Sequence, residues 1–184
     1  MAGDSRERMV RSAAELISTR GVSATSFADV LAASGAPRGS IYHHFPAGKR
    51  QLAEDAVRWT SERVLAYQRA NAGDTAESVL RCFIGMWRSV VTASSGATGC
   101  VVAGVAIDSG GEDAALLPLA AETFREWVTL LAAQLVSTGL TPARAAAIAT
   151  TTLAGMEGAL ILCRAEGDVA PLDAVAAELL GLLR

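Results

Sequence analysis

Apolar residues recur at three- and four-residue steps along almost the whole of this 184-residue chain, and that period limits the fold more than any other feature. Val10, Ala13 and Ile17 make a first stripe; Phe27, Val30 and Leu31 make a short second one. Leu52, Ala56, Trp59, Val64 and Tyr67 follow, then Val79, Phe83, Trp87 and Val90. Leu117, Ala120, Phe124, Trp127, Leu131 and Leu135 form a long stripe, and Ile148, Thr152, Met156, Leu160 and Cys163 another. Leu172, Val175, Leu179 and Leu183 close the series. Helix punctuation falls between the stripes. Gly21, Ser34-Gly35, Pro46, Gly48, Ser94-Ser95-Gly96 and Gly139 are stop signals. Ser26 with Asp29 three residues on reads as a capping box, and Thr141-Pro142 as an N-cap with proline at the first helical position. The expectation is an all-α fold of about nine helices. One segment is ambiguous. GCVVAGVAID, residues 99–108, has the length of a buried strand or of a short buried helix. A lone strand among helices leaves its backbone groups without partners, so a helix is expected. Residues 108–113, DSGGED, read as an exposed loop.

Apolar residues make up 51% of the chain, ample for a sizeable core, and the few aromatics argue against a β-sandwich. Cys82, Cys100 and Cys163 are scattered and odd in number, as expected of reduced cysteines in a cytoplasmic protein. The charged N-terminus carries no apolar signal segment, and the longest charge-free stretch is broken by polar TASSGATG, so no membrane span is expected. Net charge is −3, but residues 1–60 carry eight Arg or Lys against six Asp or Glu. A mildly basic N-terminal part on an acidic body suits a local nucleic-acid footprint.

RGSIYHHF, residues 38–45, holds both histidines of the chain. Adjacent histidines on a helix point about 100° apart and do not converge on one metal. No GxSxG elbow, P-loop or GxGxxG accompanies them, so neither a catalytic role, a metal nor a cofactor is expected. Three short helices near 5–20, 26–33 and 37–43, the last two joined by a turn at Gly35, have the layout of a helix-turn-helix. Arg38 can offer a bidentate fork to a guanine edge. Ser40, Tyr42 and His43 are neutral donors suited to phosphate, and Lys49, the single lysine, opens the next helix.

Residues 25–52, TSFADVLAASGAPRGSIYHHFPAGKRQL, resemble the DNA-binding signature of TetR-type repressors. The matching positions are Thr25, Val30-Leu31, Ser34-Gly35, Gly39, Tyr42, His44-Phe45, Lys49 and Leu52. Ala36-Pro37, where the family commonly has Val-Ser, and the extra residue before Lys49 resemble the LmrA/YxaF-like branch, as does GCVVAGVAID. The resemblance implies a helix-turn-helix domain over 1–48, with Thr25, Ser26, Arg38, Ser40, Tyr42, His43 and Lys49 on double-stranded DNA. It implies that Phe45 plugs the small core, with His44 beside it. It also implies a helical effector-binding and dimerisation domain over 49–184, and a homodimer on a roughly palindromic operator. That dimer would be released by a small, largely apolar molecule.

The small-residue run AAAIATTTLAG and the last helix, with Leu179, Leu180, Leu182 and Leu183 as its apolar surface, agree with a dimer interface, and Leu179 and Leu183 are expected to be buried across its axis. Phe83, Trp87, Cys100, Trp127, Met156 and Cys163 are soft or aromatic side chains on different helices, and Glu157 is a single charge among neutral residues. These are the expected effector lining. Singly, each is also what core packing requires. An alternative reading is an α/β enzyme that uses residues 99–111 as a cofactor strand and loop; its mixed secondary structure would separate it from the all-α reading.

Overall fold

The computed structural model describes residues 2–184, with side chains from Ser5 onward except at positions 111–113. The helices are α1 (Ala2–Arg20), α2 (Phe27–Ser34), α3 (Ser40–His44), α4 (Gly48–Asn71), α5 (Ala76–Ser94), α6 (Val101–Asp108), α7 (Leu117–Ser137), α8 (Pro142–Glu166) and α9 (Ala170–Gly181). A 3-10 turn over Gly111–Leu116 leads into α7. No strand occurs among the described residues. The ambiguous segment is α6, capped by the Cys100 thiol, whose sulfur accepts from the Ala103 N–H at 3.4 Å. The cofactor-strand alternative therefore fails on its first requirement. Of the exposed loop expected over 108–113, Ser109 and Gly110 are non-helical, whereas Asp108 ends α6 half-buried and a 3-10 turn begins at Gly111; the exposure expected at 111–113 lies outside the described side chains.

Two compact units emerge. The first comprises Met1–Glu62 with Cys100–Thr123, and the second Arg63–Gly99 with Phe124–Arg184. In the first, Met9, Val10, Ala13, Ile17, Val30, Ile41, Phe45, Leu52 and Ala56 form the core, joined by Val102 and Val105 of α6. Helix α6 comes close to α1 at Gly104, where an added Cβ would lie 3.0 Å from the Ile17 carbonyl oxygen. The absent side chain lets the two backbones approach. Arg6 reaches Asp55 at 2.6 Å and stands 5.5 Å over the Phe45 ring, tying α1 to α3 and α4.

The second unit buries Phe83, Trp87, Trp127, Leu131, Leu135, Ile148, Met156, Cys163 and Leu172. Gln68 Nε2 donates to Gln134 Oε1 at 2.9 Å and to the Val79 carbonyl at 3.2 Å, a buried amide link. Helix α8 begins at Pro142 behind the Thr141 cap and ends at Gly167 in the left-handed region (φ 69°). By length and composition it could cross a membrane; one face, with Ile148, Leu153, Met156, Leu160 and Cys163, lines the core of this unit, while Ile161 and Leu162 are exposed. Helix α9 packs on α8 at Gly155, where a Cβ would meet Val175 and Leu179 at 3.2 and 3.6 Å. Leu179 is thus buried inside the chain, contrary to its expected place on a dimer surface, while Leu183 is half-buried.

Candidate functional site

Local capping chemistry builds the first candidate surface. The Ser26 hydroxyl accepts from the Asp29 N–H at 3.2 Å, and Asp29 Oδ2 accepts from the Ser26 N–H at 3.0 Å. These bonds fix the start of α2. They also hold the Asp29 carboxyl below the usual carboxylate range, the Ser26 hydroxyl contributing most and Arg20, 3.3 Å away, adding to it. Helix α2 ends at Gly35 (φ 63°), whose N–H donates to the Leu31 carbonyl.

The recognition segment differs in detail from its expected 37–43 span. The Pro37 carbonyl accepts both the Ser40 N–H at 2.9 Å and the Ser40 hydroxyl at 2.6 Å. This tight turn precedes a helix only five residues long. Ile41 and Phe45 point inward and are fully buried, so the opposite face is left to solvent. Tyr42 is 69% exposed, its ring set edge-on to Phe27 at 5.6 Å. Arg38 and His43 are exposed, and Arg38 has no ion-pair partner among the described residues. His44 is half-buried between the His43 and Phe45 rings. Lys49 Nζ rests 3.2 Å from the Ser23 carbonyl.

Arg38, Tyr42 and His43 therefore lie on the solvent side of one short segment, with Ser26 and Lys49 at the ends of neighbouring helices. Thr25 is the exception. It is buried, and its hydroxyl donates to the Gly21 carbonyl at 2.8 Å, so it holds the α1–α2 turn. The Ser40 hydroxyl is likewise engaged within its own turn. Phe27, which orients Tyr42, escaped the sequence reading because its apolar spacing marks it only as core.

The second candidate site lies among the aromatic residues of α5 and α7. Trp87 is 6.5 Å from Phe83 and 5.9 Å from Trp127, and Phe124 stands 5.8 Å from Trp127. Trp87, Phe83 and Trp127 were expected together; Phe124 joins them. The Trp87 indole N–H and the Thr152 hydroxyl are buried and lack a hydrogen-bond partner among the described residues. Such a group costs about 1–3 kcal/mol when left unmade. Met156 and Cys163 are fully buried on α8. Cys100 does not join them: it belongs to the first compact unit, as the cap of α6. Glu157 lines an open groove of about 490 Å3 with Phe124, Arg125, Val128, Thr150 and Leu153.

Comparison with known proteins agrees with this geometry. Residues 10–56 match the family described as bacterial regulatory proteins, tetR family. Residues 76–178 match the C-terminal domain of LmrA/YxaF-like transcriptional regulators. An HTH-type transcriptional regulator of Mycobacterium tuberculosis is 39% identical, over 97% of this chain and 93% of that protein. The HTH-type regulator LmrA of Bacillus subtilis is 30% identical, over 92% of each chain. Among solved structures, the TetR-family regulator CifR bound to 26-base-pair operator DNA superposes with a TM-score of 0.78. That likeness, at 17% identity over 95% of this chain and 94% of CifR, concerns the fold. Relatives of this kind are regulators of transcription and not enzymes. The chain belongs to the TetR family of bacterial transcriptional regulators, in its LmrA/YxaF-like branch.

Proposed function

We propose that the protein is a cytoplasmic homodimeric repressor that binds a roughly palindromic operator and leaves it when a small, largely apolar molecule enters the 49–184 domain. The observation that carries the DNA reading is the inward anchoring of Ile41 and Phe45, which turns Arg38, Tyr42 and His43 outward together. Arg38 then reads a base edge in the major groove, while Tyr42, His43, Lys49 and the Ser26 turn position the backbone. Thr25 supports this surface from beneath.

The effector reading is favoured by the aromatic group around Trp87 and by the two buried polar atoms without partners, Trp87 Nε1 and Thr152 Oγ1. A molecule with an acceptor for the indole N–H would recover the cost of burying it unpaired. The dimer reading is favoured by the outer face of α8. Ala147, Thr151, Ala154, Gly158, Ile161 and Leu162 are all exposed along it, with Ile161 at 57%. A self-complementary stripe of this kind suits an isologous two-fold contact.

The test is reciprocity. An effector found by thermal-shift screening should lower operator affinity by about 5- to 150-fold, and DNA should lower effector affinity by the same factor. An effector that binds free and DNA-bound protein equally would contradict the repressor-release reading.

A further inference from the structure

The residue that ends α6 grips the turn that begins the DNA-reading unit. Asp108 Oδ2 accepts the Ser23 backbone N–H at 2.6 Å, and the Asp108 carbonyl accepts the Ser23 hydroxyl at 3.4 Å. The same carboxylate lies where a side chain at position 21 would be: a Cβ on Gly21 would fall 2.5 Å from Oδ2. Gly21 also has φ +85°, so glycine is required there both for the backbone and for the room it leaves the carboxylate. On the other side of the Ser23 Cα, the Ser23 carbonyl accepts from Lys49 Nζ at 3.2 Å. One residue of the α1–α2 turn is thus held at its N–H by α6 and at its carbonyl by the first turn of α4. Thr25 closes the same turn onto the Gly21 carbonyl, and Ser26 follows as the cap of α2.

We infer that Asp108 is a positioning residue for DNA binding, acting through Ser23 on Lys49. The carboxylate fixes the Ser23 carbonyl, and that carbonyl sets where the ammonium rests at the edge of the reading surface. A hydrogen bond to an ionised acceptor is stronger than a neutral one and sharper in its geometry. Loss of the acceptor frees the turn, and Lys49 then spends part of its binding on being reordered. This inference rests on the reading that Lys49 faces phosphate. It goes beyond that reading in giving a residue of α6, remote in sequence, a share in operator affinity.

The experiment measures affinity for a fragment recovered by random-pool selection with the wild-type dimer. The proteins are wild type, Asp108→Ala, Asp108→Asn, Asp108→Ser, Lys49→Ala and the Asp108→Ala/Lys49→Ala double variant. Asp108→Ala should lose about fivefold or more in affinity while keeping its helical circular dichroism. Asp108→Asn, which keeps an acceptor oxygen but loses its charge, should fall between wild type and the alanine protein. In the Lys49→Ala background, Asp108→Ala should cost less than about twofold, since its effect passes through the lysine. Asp108→Ser, too short to reach Ser23, should repeat the alanine result and replaces it if the alanine protein fails to fold. Alanine and serine variants that bind like wild type overturn the inference, as do Asp108 and Lys49 losses that simply multiply. If Lys49→Ala itself leaves affinity unchanged, the underlying DNA reading fails instead, and the two failures are told apart.

Discussion

Each polar side chain near α3 is assigned by where its bonding capacity goes. Thr25 and Ser40 spend their hydroxyls on backbone carbonyls, so they shape the surface. Arg38 is exposed with no ion-pair partner among the described residues, and Lys49 has further donors beyond its bond to Ser23. Arg38→Ala is therefore expected to cost about 1–3 kcal/mol of operator affinity and to relax the choice of base at one position per half-site. A binding titration against single-base operator variants checks both parts. Lys49→Ala should weaken all sequences alike and reduce the slope of log affinity against log salt by about 1. A lysine variant that changed base preference would reverse the assigned roles.

At the scale of elements, packing decides which sequence signals survive. The Thr141-Pro142 start of α8, the Ser26–Asp29 box and the helical identity of residues 101–108 were all legible, because capping and backbone satisfaction are local or nearly so. The roles of Leu179 and Cys100 were not. Leu179 is an apolar residue on a helical stripe, and only the close α8–α9 approach at Gly155 turns it inward. Only the course of the chain into α6 makes Cys100 a cap. Asp108 was misread for the same reason: its partner Ser23 is 85 positions away. Helix α8 also carries a testable cost. Thr152 is fully buried with an unpartnered hydroxyl, so Thr152→Val, nearly equal in shape, should raise stability by about 1–3 kcal/mol in urea denaturation. The same change should weaken any effector that uses the hydroxyl. A destabilised valine protein would mean that the hydroxyl has a partner in solution.

For the whole molecule, the proposed two-fold contact and the DNA surface stand or fall together, because operator symmetry mirrors protein symmetry. Ile161 is exposed, so Ile161→Glu should leave the fold of one chain intact and give monomers by sedimentation, by placing like charges across the axis. A charge at Leu179 would instead disrupt the core of its own chain. Monomers of the Ile161 variant should bind DNA far more weakly, each half-site being held alone. The central claim is that the Arg38-to-Lys49 surface reads DNA in a symmetric dimer, and selection from a random DNA pool tests it most directly. The wild type should recover two inverted half-sites centred about one helical turn, or a multiple of it, apart, and Arg38→Ala should recover the same spacing with one base per half-site no longer fixed. A pool that enriches no symmetric motif, or an Arg38→Ala motif identical to the wild type's, would contradict it.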